Sequence, residues 1–356
     1  TLGSLSVAVG ANALNAQNLT TATNTYSVAV GHFAGAAVTT GVENTLIGGL
    51  AGDALTVGVR NVAVGKGALT TDVGGNKSVA IGHSALEAQN LGATTTDAFN
   101  TAVGYNAGSA VTTGIQNTFV GGSAGDATND GAENVAVGYA ALSANCGNGN
   151  GAFGYAALFQ CTGQFNTAVG TSAGSAVTSG GNNLFLGKDT GLSGSPGGAQ
   201  TTASNVIFLG DENITNIYAA VSSIGTSDER DKTDFTALDL GLDFVKNLKP
   251  VTYYWDKRSK YGDKYAEGYD LNAQTPDGTH KEDWLDIGFK AQEVVALEEA
   301  AGYTISDKTN LVSNLTADGT QYGLKYDRFV PILVKAIQEQ NALITALTDR
   351  ITALEG

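Results

Sequence analysis

Ser27-Val-Ala-Val-Gly31 decides how the first part of this chain folds, because the chain keeps returning to it. The phrase stands as Ser-Val-Ala-Val-Gly at 6–10 and Ser-Val-Ala-Ile-Gly at 78–82. With Asn in front it reads Asn-Val-Ala-Val-Gly at 61–65 and 134–138, and Asn-Thr-Ala-Val-Gly at 100–104 and 166–170. Looser versions occupy 44–48, 117–121, 150–154, 183–187 and 206–210. Between closing glycines the steps are 21, 17, 17, 17, 22, 17, 17, 16, 16, 17 and 23 residues. A 17-residue rung with occasional loop insertions fits them all. Blocks of rungs recur as well: the segment 31–41 returns at 104–114 and again from Gly170.

Each phrase is a short strand of β-branched and small residues closed by Gly. Alternation puts the outer residues of Val-Ala-Val on one face and the Ala on the other. The Ala suits a crowded position where coils or chains meet, and the Gly suits a corner that needs φ > 0 or close backbone approach. A lone rung cannot bury its apolar face, so rungs must stack. Gly, Thr and Asn oppose helix at almost every turn. The expected fold class is therefore mainly β: a Gly-rich parallel β-solenoid or β-roll, about 55 Å long at ~4.8 Å per strand. The phrase resembles the head repeats of trimeric autotransporter adhesins and the β-rolls of phage tail fibres. That resemblance implies a trimer, built either from one roll per chain or from an interwound triple β-helix.

Composition changes abruptly at Ser227. Before it lie 4 Lys+Arg and 11 Asp+Glu with 39 of the 48 Gly; after it lie 15 and 23 in a much shorter segment. The expected organisation is a shaft over 1–210, a connector over 211–226 carrying Ile214, Ile217, Tyr218 and Val221, an α+β domain over 227–329 and a terminal helix over 330–356. The net charge of -15 argues against nucleic acid or an anionic membrane as partner. The apolar runs are too short to span a bilayer. A chain that opens on Thr1 without Met reads as a fragment or processed product of something longer.

Within the repeats no catalytic centre or cofactor site stands out. His32 and His83 both follow a closing Gly, but no acidic or second His partner recurs with them, so no metal is expected. Cys146 and Cys161 fall at nearly the same station of consecutive rungs, as stacked core thiols or a disulfide. Tyr105, Tyr139, Tyr155, Phe159 and Phe165 could form a sugar-binding surface or pack between rungs. No carboxylate pair marks a glycosidase.

Ser227-Asp-Glu-Arg-Asp-Lys232 sits on the composition boundary. A serine hydroxyl needs a base to become a nucleophile, and Lys232 serves if burial lets it be neutral. Asp228 and Arg230 could orient the peptide or hold its carbonyl oxygen. The Ser-Asp-x-Arg-x-Lys pattern resembles the start of the intramolecular chaperone auto-processing domain, peptidase family S74, which closes phage endosialidases, tail spikes and tail fibres. The likeness continues through Leu248-Lys-Pro-Val-Thr-Tyr-Tyr-Trp255, Ile287-Gly-Phe-Lys-Ala-Gln-Glu-Val-Val295 and Tyr326-Asp-Arg-Phe-Val-Pro-Ile-Leu-Val-Lys-Ala-Ile337.

The resemblance implies a domain that trimerises, templates the β-fibre and then releases itself as a single-turnover serine peptidase. It makes Ser227 the nucleophile and Lys232 the general base, with the cut at Ser227–Asp228. Attack on the preceding carbonyl would instead cut Thr226–Ser227. Asp231 departs from the family, which more often has an apolar residue there; a carboxylate beside Lys232 would hold it charged. Glu293, near the start of a helix expected over 289–301, either assists the site or simply suits the helix dipole. Trp255 and Trp284 read as core anchors, and 256–264 as a solvated hairpin or loop.

The terminal helix carries a heptad with Val330, Ile337, Ile344 and Ile351 at a and Leu333, Gln340, Leu347 and Leu354 at d. Ile at a with Leu at d favours two strands, whereas the resemblance implies three. The functional expectation is a homotrimeric phage tail-fibre or spike segment in the virion, meeting a host glycan or protein receptor. Its chaperone domain would be shed in the host cytoplasm. The alternatives are a bacterial trimeric surface adhesin, which needs a membrane anchor after the heptads, and a trimerisation module that does not cut.

Overall fold

A computed structural model describes residues 3–19, 23–214, 217, 227–264, 266 and 268–356. The chain divides into two units between Asn213 and Ile214. The first is a mainly β, parallel β-solenoid. Its main sheet has twelve strands among the described residues: β1 (Val7–Val9), β2 (Val28–Val30), β3 (Thr45–Ile47), β4 (Val62–Val64), β5 (Val79–Ile81), β6 (Thr101–Val103), β7 (Thr118–Val120), β8 (Val135–Val137), β9 (Gly151–Phe153), β10 (Thr167–Val169), β11 (Leu184–Leu186) and β12 (Ile207–Leu209). Each pairs in parallel with the next, so one chain coils on itself; of the two arrangements expected, this is the single-chain roll. The middle residues stay in register (Ala80 on Ala102, Ala102 on Phe119, Phe119 on Ala136), so the longer steps are absorbed in loops.

Three physical devices hold the coil. The first is the closing glycine: at Gly121 φ is +137°, and a Cβ there would lie 2.5 Å from the carbonyl oxygen of Gly138 in the next rung. No side chain fits that approach.

The second is an exchange of volume in the core. From β2 to β11 the middle strand residue is fully buried. Where it is large, as at Phe119, the facing turns carry Gly108 and Gly125, and a Cβ on Gly125 would lie 2.5 Å from the Phe119 ring. Where it is Ala, as at Ala63, Ala80, Ala136 and Ala152, the turn supplies buried Leu69, Leu86, Leu142 or Leu158. Where both are small, as Ala102 with Gly108, the large residue of the next rung fills the space: a Cβ on Gly108 would lie 2.8 Å from the Phe119 ring, and the packing stays dense.

The third is a ladder of buried asparagines at the head of the phrase. Asn117 Oδ1 accepts from the Asn134 backbone N–H (2.9 Å), and Asn117 Nδ2 donates to the Gly131 carbonyl (2.9 Å). Asn100, Asn134, Asn150 and Asn166 likewise accept from the backbone N–H of the following rung. Buried polar groups of the turn are thereby satisfied. At Ser78 the amide is missing, and buried Gln89 takes its place, donating to Ser78 Oγ (3.0 Å) and accepting from Asn100 (2.9 Å).

Cys146 and Cys161 are both buried and free. Cys146 Sγ lies 3.3 Å from the Thr128 hydroxyl, and Asn166 Nδ2 donates to Cys161 Sγ at 3.4 Å. Burial pushes the Cys161 thiol up to about 11. The outer strand residues form the opposite surface, a long apolar stripe through Ile47, Ile81, Val120, Val137, Phe153, Val169, Leu186 and Leu209, all exposed.

The second unit is small and mixed. It holds helices α1 (Leu242–Asn247), α2 (Ala291–Ala300) and α3 (Phe329–Glu355). It also holds two antiparallel ribbons, β13 (Val251–Tyr253) with β14 (Asp286–Gly288), and β15 (Ser313–Leu315) with β16 (Tyr322–Leu324). Its core is Leu240, Phe244, Val294, Val312, Phe329 and Ile332. Buried Glu298 of α2 accepts three backbone N–H groups, from Leu311, Val312 and Ser313, at 2.7, 2.8 and 2.9 Å. Glu339 of α3 accepts from the Leu242 N–H (2.7 Å) and so caps α1.

Trp255 and Trp284 are not core anchors: they are 43% and 52% exposed. Trp255 follows the end of the two-stranded ribbon of β13 and β14, and its indole donates to Asp286 (3.1 Å). The run 256–264 is a loop with one 3-10 turn, Arg258–Lys260. In α3, Phe329, Ile332 and Ala336 are buried. The heptad residues Val330, Leu333, Ile337, Ile344, Leu347, Ile351 and Leu354 face outward. Of the connector expected over 211–226, Ile214 and Ile217 are exposed, while Tyr218 and Val221 lie outside the described residues.

Candidate active site

Ser227 and Lys232 are brought together by a single turn. Asp228 opens it as N-cap, its carboxylate accepting from the Arg230 N–H at 2.9 Å, and Glu229–Asp231 form a 3-10 helix. The Lys232 N–H closes on the Glu229 carbonyl at 3.1 Å. Reversing the chain over so few residues carries the lysine side chain back to the serine. Lys232 Nζ lies 2.6 Å from Ser227 Oγ and 3.2 Å from the Ser227 carbonyl oxygen. That is the contact distance a nucleophile and its base require.

Asp228 and Arg230 are occupied with each other. The guanidinium donates to both carboxylate oxygens, with Nη2 to Oδ2 at 2.6 Å and Nε to Oδ1 at 3.0 Å. The pair holds the Asp228 carboxyl below its usual range, first through the Arg230 side chain and then through its backbone N–H. Arg230 therefore braces the turn, and it is Lys232, not Arg230, that reaches the Ser227 carbonyl. Asp231 is exposed and forms no ion pair among the described residues. The Thr226 carbonyl, target of the alternative cut, lies outside the described residues.

Glu293 stands in the first turn of α2 and pairs with Lys290 at 3.2 Å. It lines a cleft of about 280 Å³ with Leu248, Lys249 and Phe289. Its ion pair is with Lys290, and it makes no hydrogen bond to Ser227 or Lys232 among the described residues.

In the solenoid, Tyr139, Tyr155 and Phe159 line one cleft, which Tyr105 and Phe165 do not. His32 and His83 are exposed corner residues, His83 stacked on Tyr105 at 5.5 Å. Among the described residues no cluster of His, Cys, Asp or Glu could hold a metal ion, and no helix is long and apolar enough to cross a membrane. Glu298 and the asparagine ladder escape a reading by motif, because a lone buried Glu or a recurrent Asn carries no chemical signature until its neighbours are known.

By fold, then, this is a β-solenoid followed by a small domain that presents a Ser–Lys pair at its head. Residues 227–303 match the peptidase S74 family model, described as the chaperone of endosialidase. The match begins at the candidate serine; the likeness noted at 326–337 lies beyond it. No curated protein and no solved structure matches the chain significantly. A solenoid joined to a chaperone-of-endosialidase segment fits a tail-spike-like protein.

Proposed function

We propose that this chain is a homotrimeric tail-fibre or tail-spike segment whose C-terminal domain assembles the shaft and then cuts itself away beside Ser227. The observation that carries the proposal is Lys232 Nζ at 2.6 Å from Ser227 Oγ, at the first residue of the matched segment. Two apolar surfaces support self-association: the outer stripe of the solenoid and the heptad face of α3. Exposed patches of that length need a partner to cover them.

In the cut, neutral Lys232 takes the Ser227 hydroxyl proton, Oγ attacks a carbonyl carbon, and the proton passes to the departing amide nitrogen. Water then hydrolyses the ester and restores the hydroxyl. Attack of Oγ on its own carbonyl would close a strained four-membered ring. Cutting at Ser227–Asp228 therefore draws the attacking oxygen from a neighbouring copy's Ser227, or from a water that Lys232 deprotonates. Attack on the Thr226 carbonyl closes a five-membered ring and cuts Thr226–Ser227. Both residues of the dyad are exposed in the single chain. Since a lysine becomes a base through desolvation, the cut should follow assembly. In the organism the product is a virion shaft for host attachment, with the domain released in the host cytoplasm.

Intact mass of the expressed protein beside Ser227→Ala and Lys232→Ala tests this. Two wild-type fragments meeting at residue 227, with both variants whole, are expected. The two candidate bonds give N-terminal fragments differing by one serine. A wild type that stays whole once assembled removes the peptidase role and leaves a non-cutting trimerisation module.

A further inference from the structure

We propose that the solenoid carries a binding cleft for neutral pyranose sugars, formed by Tyr139, Tyr155 and Phe159 with Asp126 as the polar contact. The inference deepens the attachment reading and rests on it for its use, though not for its chemistry.

The in-register strands make successive rungs present equivalent stations. After the closing glycines at 121, 138 and 154, the first station holds Gly122, Tyr139 and Tyr155, and the fifth holds Asp126, Ser143 and Phe159. The two tyrosine rings stack at 5.6 Å with only 15° between their planes. They are 58% and 57% exposed, and Phe159 is 42% exposed. Gly122 keeps one end open: a Cβ there would lie 3.5 Å from the Tyr139 ring. The resulting cleft has a volume of about 550 Å³, within the range of small-ligand sites.

Asp126 and Ser143 line the cleft beside the rings. The Ser143 hydroxyl donates to the Ser123 carbonyl at 3.0 Å and still has an acceptor free. A pyranose ring offers a C–H face to the aromatic surface and hydroxyl donors to a carboxylate. An acidic sugar would meet Asp126 and a chain of net charge -15. Neutral sugars are thus the favoured class.

The fold itself does not require these aromatics. In the earlier block the rungs closing at Gly48, Gly65 and Gly82 hold Gly49, Lys66 and His83 at the first station, and Asp53, Thr70 and Glu87 at the fifth. The same scaffold therefore carries polar residues where the later block carries Tyr139, Tyr155 and Phe159. The three rings gathered at one cleft are therefore a feature of this block and not of the rung.

The test is an array of neutral hexose and N-acetylhexosamine oligosaccharides with their sialylated counterparts, probed with the full-length protein. The wild type should bind neutral members. Tyr155→Ala should weaken binding about tenfold or more, Asp126→Asn should weaken it by less, and Tyr105→Ala should leave it unchanged. Circular dichroism would confirm that each shaft is folded. No binding, a preference for sialylated members, or binding that survives Tyr155→Ala overturns the cleft. Adsorption to candidate host cells separates the two readings: adsorption without glycan binding keeps attachment and removes the cleft. Glycan binding that is lost in Tyr155→Ala while the wild type adsorbs to no cell keeps the cleft and removes attachment.

Discussion

The solenoid and the C-terminal domain are stabilised in opposite ways. The solenoid repeats a small contact many times: a strand triplet, an asparagine amide, a closing glycine. The C-terminal domain depends on a few contacts that occur once, above all Glu298 on the 311–313 backbone and Glu339 on α1. The first is nearly free of charge and built from backbone in register. The second is charge-rich and held by particular side chains. Repetition spreads stability along the rod but requires every rung to find its register, since neighbouring rungs are useful only when aligned. Parallel strands linked by whole turns form slowly. A domain with local helices and its own small core can form first, which suits the role of helper.

The sharpest way to break this contrast is to remove one contact of each kind. Glu298→Ala orphans two buried N–H groups and a third that is half-buried, and should cost on the order of 4 kcal/mol. Amide exchange at Leu311–Ser313 should accelerate while the solenoid stays protected. Asn117→Ala removes one acceptor and one donor from the ladder and should cost about 2 kcal/mol. Exchange there should rise at Asn134 and in the adjoining rungs without touching the C-terminal domain. If Asn117→Ala proves as damaging as Glu298→Ala, the distributed view of the solenoid is wrong.

A smaller effect comes from pH. The Leu242 N–H, followed by Lys335, lowers the Glu339 carboxyl below its ordinary value of 4.5. A depressed carboxylate contributes stability above its unfolded pKa and loses it as pH falls through the folded value. Protection of the Leu242 amide, relative to its intrinsic exchange rate at each pH, should therefore fall as pH drops below 4.5, and Glu339→Gln should abolish that dependence. The effect is modest because the group faces solvent.

Much of this was legible in the sequence, for definable reasons. The rung recurs, so its period, its strand and its glycine corner can be read by comparing the chain with itself. Ser227 and Lys232 could be noticed as a spacing, but their contact depends on the 3-10 turn that Asp228 caps. The exchange between Phe119 and Gly125, or Ala136 and Leu142, needs the register that sets them face to face. Size and apolarity place Trp255 and Trp284 in the core when only the sequence is read. The same properties serve an outward surface, and sequence does not tell the two apart. Helix α3 shows this on one element: Phe329, Ile332 and Ala336 dock inward while the heptad residues beside them face out.

The central claim is that the shaft is built with help from the domain that follows it and then separated from that help. Unfolding and refolding wild type beside Ser227→Ala tests it directly, with shaft recovery followed by protease resistance and oligomeric mass. The uncut variant should regain a resistant, trimeric shaft, whereas the wild-type shaft, once cut and purified from its C-terminal domain, should not. A cut shaft that refolds unaided, as fast and as completely as the variant, would contradict the account.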